Sequence, residues 1–255
     1  MQPPTKNPGQ IKGKIRLDQR LVTMNLAPDL EKARSLIMAG MVVVDQQRRD
    51  KPGFMVKVTA DIRLKNHLRY VSRGGEKLES AIEGLKLQNE FRDQLVLDAG
   101  ASTGGFTDCV LQYGASKVIS VDIGSNQLAW SLKNDPRVLS LEKLDLRQYP
   151  VDHHPSPDWI VGDLSFIALS QLATALANIA APGTRVLILV KPQFELPSDI
   201  VPEGGVVTSK EDQALAVERA VESLTAHNFS HLNTINSGLK GRSGNQEVFI
   251  YLQKK

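Results

Sequence analysis

Short apolar, β-rich runs recur through the C-terminal two thirds of the chain: Leu95–Leu97, Lys117–Val121, Val138–Leu141, Trp159–Val161 and Arg185–Val190. Most are separated by helix-like stretches, Phe106–Tyr113, Gln127–Lys133 and Leu169–Ile179. Strands that are apolar throughout must be buried on both faces, and intervening helices supply the crossovers that parallel strands need. The alternation therefore predicts an α/β domain over residues 76–255, a parallel sheet covered on both sides. One long helix, Glu211–Ala226, precedes two closely spaced strands near Leu232–Ile235 and Glu247–Leu252. These read as an antiparallel hairpin at the sheet edge.

The N-terminal part differs. Residues 1–14 read as a flexible basic arm. Leu17 and Leu21, then Ala33, Leu36 and Ile37, mark two short amphipathic helices over residues 15–62. Gly40 ends the second helix, the strand Met41–Val44 follows, and a Lys51-Pro52-Gly53 turn precedes another strand, Phe54–Val58. Residues 63–75 are the expected linker. The whole chain carries 31 Lys+Arg against 28 Asp+Glu, a net +3 that conceals a division. Residues 1–75 sum to +9 and the remaining 180 to −6, and a basic head on an acidic body points to a polyanionic partner.

Some classes are excluded or disfavoured. No apolar run approaches the roughly 20 residues of a bilayer helix, and the N-terminus has no signal-peptide apolar region. The lone Cys109 excludes an intramolecular disulfide and a cysteine zinc cluster, and fits the reducing cytoplasm. No metal site is expected: His227 and His231 lack a third ligand, and His153-His154 lie in a Pro-rich loop. Cys109 reads as packing.

Leu95-Val-Leu-Asp-Ala-Gly-Ala-Ser-Thr-Gly-Gly-Phe-Thr107 is a strand, a glycine turn and a helix start. Glycines let backbone amides approach a ligand at a helix N-terminus, in the crevice outside the strand ends of a Rossmann-like sheet. The next strand ends in Asp122, placed to hold a ribose diol. Asp98 inside the turn would repel a pyrophosphate but can receive an ammonium group or an ordered water. S-adenosylmethionine, a sulfonium amino acid without phosphate, suits such a pocket better than a dinucleotide. The candidate cradle is Asp98, Gly100, Ser102, Thr103, Gly104, Gly105, Phe106 and Asp122, with Asp163 at a strand end. Asp145 is a candidate acceptor for the adenine amino group, or an exposed loop acid. For Phe106 and Phe166, core packing and ligand contact stand as equal readings.

With Gly162-Asp-Leu-Ser-Phe166, Val190-Lys-Pro-Gln-Phe-Glu195 and Gly244-Asn-Gln-Glu-Val-Phe249, this turn resembles the TlyA family of hemolysin-A-like proteins. The family joins an S4 RNA-binding domain to an FtsJ-like methyltransferase. The resemblance implies ribose 2′-O-methylation of ribosomal RNA with S-adenosylmethionine, and a catalytic set falling on Lys77, Asp163, Lys191 and Glu247. Asp163 and Lys191 end apolar strands, Lys77 is expected to open a helix, and Glu247 begins the final strand. Methyl transfer is an in-line displacement in which a ribose hydroxyl must lose its proton. Lys191 is assigned to activate that hydroxyl and Lys77 to steady the oxygen, while Asp163 and Glu247 orient the two ammonium groups. Two ordinary strand-end ion pairs are the alternative for any single residue.

Residues 15–62 resemble the S4 domain through Arg16-Leu-Asp18, Lys32-Ala-Arg34, Leu36-Ile37, Gly40, Val42–Val44 and Lys51-Pro-Gly53. Such a domain presents basic side chains to structured RNA and reads shape and phosphates more than sequence. Arg16, Arg20, Lys32, Arg34, Arg48, Arg49 and Lys51 are the candidates, about half of which are expected to touch RNA. Asp29-Leu30 and Asp45-Gln46 depart from the family's Ser-Arg and Asn-Gly, and the added acids are expected to weaken this surface. Ribosomal RNA or ribosomal subunits are the expected partners, with no membrane and no obligate protein partner. A non-catalytic RNA-binding or ribosome-assembly factor and a pore-forming cytolysin are the competing readings. Residues 196–208, long for a connection, are expected to form a mobile loop over the substrate.

Overall fold

The apolar runs pair as parallel strands, and alternate residues along each feed two separate cores. The computed structural model describes residues 13–64 and 69–255. The chain divides into two compact units, Met1–His67 and Leu68–Lys255.

In the second unit, helix α3 (Arg73–Gly84) precedes strand β6 (Leu95–Ala99), helix α4 (Gly105–Gln112) and strand β7 (Lys117–Asp122). Short helix α5 (Trp130–Lys133), β8 (Val138–Glu142), β9 (Trp159–Gly162), α6 (Ala173–Ile179) and β10 (Arg185–Val190) follow. Helices α7 (Pro192–Glu195) and α8 (Lys210–Thr225) lead to β11 (Phe229–Asn236) and β12 (Val248–Lys254). The sheet order is β11-β12-β10-β9-β6-β7-β8, with β6 to β10 parallel. On one face Leu97, Ile119, Val186 and Ile188 pack with Leu176, Ala220 and Leu224 of α6 and α8. On the other, Val96, Val118, Leu187 and Leu189 pack with Leu78, Ile82 and Val110 of α3 and α4. That is why the runs carry no alternation.

The C-terminal hairpin forms, but its second strand takes the inner place: β12 pairs with β10, and β11 is the edge. β12 buries Val248, Phe249, Ile250 and Leu252, whereas most of β11 is exposed. The more apolar strand is covered. Because the chain runs one way from β6 to β8 and the other way through β9 and β10, the order reverses between β6 and β9. A crevice at the strand ends there is the position for a ligand in such sheets.

Helix α3 starts earlier than the sequence implied, at Arg73, where Ser72 accepts the Gly74 amide at 3.3 Å. Lys77 therefore lies in the second turn, not at the helix opening. Two glycines hid the first turn, since glycine is a poor helix former. Gly75 is required there, because a Cβ would stand 2.2 Å from the Tyr70 ring.

The first unit holds β1 (Lys14–Arg16), α1 (Leu17–Thr23), α2 (Leu30–Met38), β2 (Val42–Val44), β3 (Gln47–Arg49), β4 (Met55–Lys57) and β5 (Ile62–Leu64). Its core gathers Leu17, Leu21, Ala33, Ile37, Val42, Val44 and Val56. The strand after the Lys51-Pro52-Gly53 turn does not pair with β2. It pairs with β1, while β2 lies between β3 and β5. Lys14, placed in the arm by sequence, belongs to β1, and β5 extends into the expected linker. Residues 1–12 of the arm and 65–68 of the linker lie outside the described residues.

Candidate active site and nucleic-acid interface

Two lysines meet two carboxylates at the ends of the parallel strands. Register pairs Ile188 of β10 with Gly162 of β9, so Lys191 and Asp163 leave adjacent strand ends side by side. Lys191 Nζ lies 2.7 Å from Asp163 Oδ1 and donates to Ser165 Oγ at 2.5 Å. Lys77 Nζ on α3 donates to Glu247 Oε2, just before β12, at 2.5 Å. Both lysines and Glu247 are buried, and Asp163 is the most open of the four. Glu247 sits tightly over Gly241, where a Cβ would come within 2.4 Å of Oε1. Ser165 was missed by sequence reasoning, although it lies inside the Gly162–Phe166 motif.

The glycine turn is largely self-bonded. The Gly100 and Ala101 amides donate to Val121 O, and the Ser102 amide donates to Asp122 Oδ2 at 2.7 Å. Gly100 adopts φ +80°, against Asp163 and Leu164. Gly104 and Gly105 leave room for neighbours: a Cβ on Gly104 would strike Leu132 and Leu128, and one on Gly105 would lie 2.2 Å from Ser72 Oγ. Thr103 lends its carbonyl to the Ala129 amide. Among the described residues the amides of Gly105 and Phe106 have no partner, as expected of a first helical turn.

Three expectations change here. Asp98 does not line an open pocket; it is fully buried, and its Oδ2 accepts the Thr107 amide at 2.9 Å and the Thr107 hydroxyl at 2.6 Å. Its Oδ1 is buried without a hydrogen-bond partner, and burial pushes the carboxyl up to about 7. Phe106 is core, 3% exposed and packed on Phe249 at 5.9 Å, because its side chain follows α4 inward. Phe166 is the opposite: 90% exposed, at φ +64°, and tilted against Phe194 at 5.1 Å. A left-handed bulky residue is strained and persists where the surroundings hold it.

Asp122 also accepts the Gly124 amide at 2.6 Å, so it braces the turn while remaining partly exposed. It lines a small pocket of about 10 Å³ with Ser102, Gln127 and Glu142. Asp145 is held by both forks of Arg147, at 3.0 and 2.6 Å, which lowers its carboxyl to about 2. It remains a partly open loop acid whose lone pairs are shared with arginine.

The model of the FtsJ-like methyltransferases matches residues 70–254, and that of the S4 domain matches residues 15–62. The chain is an FtsJ-like methyltransferase with an S4 domain. It is 39% identical over 246 residues to the 16S/23S rRNA (cytidine-2′-O)-methyltransferase TlyA of Mycobacterium tuberculosis, covering 94% of this chain and 90% of that one. It is 34% identical to the Hemolysin A of Brachyspira hyodysenteriae, covering 93% and 99%. A solved Streptococcus thermophilus structure bearing a hemolysin name superposes with TM-score 0.72 at 38% identity, covering 96% and 90%. No helix among the described residues is long and apolar enough to cross a membrane.

Elsewhere in the methyltransferase, the segment 196–208 is anchored at both ends. Leu196 and Val207 are buried against Ala216, and buried Asn245 accepts the Val207 amide at 2.8 Å and donates to Gly205 O at 2.8 Å. Glu195, buried and pushed up to about 7 by desolvation, accepts the Leu169 amide and so ties α7 to the chain following Phe166. Cys109 is buried beside Tyr70, and burial pushes its thiol up to about 12, which suits packing and not nucleophilic chemistry.

In the S4 domain the seven basic candidates separate. Arg20 Nη2 is drawn to Val58 O at 2.6 Å. Arg48 lies over Gly40 at the α2 terminus, and Arg49 lies over the Phe54 ring at 4.3 Å. Lys32 and Lys51 are exposed, and Arg16 and Arg34 flank Asp18. The two departing acids have structural tasks. Asp29 caps α2 by accepting the Lys32 amide at 2.7 Å. Asp45 and Gln46, at φ +47° and +67°, make the tight β2–β3 turn, and Asp45 also accepts the Asp61 amide.

Proposed function

We propose that the protein transfers the methyl group of S-adenosylmethionine to a ribose 2′-hydroxyl of ribosomal RNA. The observation that carries this reading is the pair of buried Lys–carboxylate contacts at the sheet's ligand-binding end. Both lie in a chain closely similar to rRNA 2′-O-methyltransferases.

The residues present fit the cofactor. The crevice offers the partly exposed Asp122 and two unpartnered amides at the start of α4. An anionic side chain suits a cationic ligand, and helix-start amides suit a carboxylate. Asp122 would hold the ribose, with Asp145 near the base. When bound, the cofactor supplies an electrophilic methyl on its sulfonium.

The chain's own residues would then act on the nucleophile. Lys191, oriented by Asp163 and Ser165, gives up its own proton to solvent and, as the neutral amine, takes the 2′-hydroxyl proton as attack proceeds. Lys77, held by Glu247, places a positive charge near the oxygen. The carboxylates keep each lysine nitrogen in one position, which lowers the cost of alignment. Exposed Phe166, in the same strand-end motif as Asp163, offers an aromatic face to a substrate base. The S4 domain docks the RNA through phosphate contacts.

Labelled S-adenosylmethionine incubated with the protein and unmodified ribosomal subunits, or their extracted rRNA, tests this reading. Label on a ribose oxygen is the expected outcome. Label on a base, or on no assembly state, overturns the proposed substrate.

A further inference from the structure

Asp18 is the most densely bonded acid of the first unit, and it is wholly buried in the first turn of α1. Its Oδ1 accepts Arg16 Nε at 3.1 Å and the Gln19 amide at 2.9 Å. Its Oδ2 accepts Arg16 Nη2 at 2.7 Å and Arg34 Nε at 3.2 Å. One carboxylate thus holds two guanidinium groups, one from the β1–α1 junction and one from α2. Arg16 packs over the Lys51-Pro52-Gly53 turn, where a Cβ on Gly53 would make ordinary contact with its Nη1.

The arginines are held but not used up. Their side chains are 45% and 52% exposed, while the carboxylate behind them is 0% exposed. Arg16 Nη1 and both terminal nitrogens of Arg34 donate to no group among the described residues. Arg20, by contrast, is drawn onto the backbone of Val58, and Arg49 is turned onto Gln47 and Phe54. A polyanion approaching this face meets two fixed cations with free N–H groups, and the acid lies out of its reach. A guanidinium already fixed in one rotamer loses less freedom on binding, and its planar fork matches phosphate oxygens.

We infer that Asp18 is a positioning residue for RNA binding: it presets Arg16 and Arg34 as a pair of forks for backbone phosphates of structured RNA. The inference rests on the reading of this unit as an RNA-binding domain. It runs against simple charge counting. Removing an acid from a basic surface should strengthen RNA binding, whereas removing a positioning group should weaken it.

The test uses the full chain, an rRNA-derived hairpin as probe, and affinity measured across a series of KCl concentrations. Asp18→Asn is expected to weaken binding at least about tenfold, and to reduce the slope of log affinity against log salt by about one to two. Arg34→Lys keeps the charge but loses the fork, and is expected to weaken binding in the same sense. Thermal melts establish that each variant is folded. Arg34→Lys, at a half-exposed site, carries the test if Asp18→Asn does not fold. A merely structural Asp18 would lower the melting temperature and leave the affinity and salt slope of folded Arg34→Lys unchanged. Arg34→Lys within about twofold of the parent overturns the inference, as does Asp18→Asn binding equally or more tightly. If the unsubstituted protein fails to bind RNA at all, the reading of the unit falls first, and the inference with it.

Discussion

Each unit buries an aspartate completely near the start of a helix, and the two surroundings drive those acids in opposite directions. Asp18 faces two arginines, whose hydrogen bonds hold its carboxyl down at about 2. Asp98 faces Thr107, with only neutral donors and with Asp163 and Asp122 nearby, and desolvation drives it up to about 7. Asp98 lies deep in the interior while Asp18 is covered only near the surface, so depth of burial and the partner together decide whether each acid is charged. The same contrast separates the cations these units present. Arg16 and Arg34 in the S4 domain are held at the surface, while Lys77 and Lys191 of the methyltransferase are enclosed beside carboxylates.

That contrast is testable first in turnover. Lys191→Ala should reduce the methylation rate by about 100- to 10,000-fold, the range for losing a proton-transfer group, with cofactor affinity changed by at most a few-fold. Single-turnover kinetics and equilibrium cofactor binding measure the two quantities. Near-normal turnover would remove Lys191 from the chemistry and leave it an ordinary strand-end ion pair.

The next effect is on stability. Glu247→Ala strands the enclosed Lys77 ammonium and should cost about 3–5 kcal/mol in a urea melt. The double substitution Lys77→Met with Glu247→Leu should recover much of that loss while remaining inactive. If Glu247→Ala unfolds no more readily than the parent, the pair is not a desolvated one.

The smallest effects come from pH. Folded Asp98 keeps a proton that the unfolded chain releases near pH 4, so its contribution is lost as pH rises from about 4 to 7. Between pH 4 and 8, Asp98→Asn should gain roughly 2–4 kcal/mol relative to the parent. Glu195 is shifted in the same sense and persists in both proteins, so the difference isolates Asp98. Asp18 has the reverse sign: its contribution is present above about pH 4 and is lost as pH falls towards 2. Asp18→Asn should flatten that acid limb. Parallel stability profiles for Asp98→Asn and the parent would show that Asp98 is ionised normally.

Much of this was legible in the chain itself. The unbroken apolar runs told that both sheet faces are covered, and Leu97 and Val96 duly enter different cores. The glycine turn forms between β6 and α4, where the sequence placed it. Lys77 was misplaced by a turn because Gly74 and Gly75 have no helical signature. Phe106 and Phe166 could not be separated by composition, because each is a phenylalanine in a glycine- or serine-containing turn. Helix α4 turns one inward, and the left-handed backbone of the other turns it outward. The C-terminal end of the segment 196–208 is held by Asn245, whose side chain reaches Val207 from nearly 40 residues away in sequence.

The sequence by itself determined what depends on near neighbours: strand and helix periods, the glycine turn, the split of charge between head and body, and the residues available for chemistry. Only the tertiary structure decided which cation meets which acid. Lys77 and Glu247 are 170 residues apart, and Asp18 draws Arg34 from 16 residues away. Those pairings follow from strand register and helix packing, and they set desolvation and local charge together. Those two quantities separate a held arginine from an enclosed lysine, and an ionised aspartate from a protonated one.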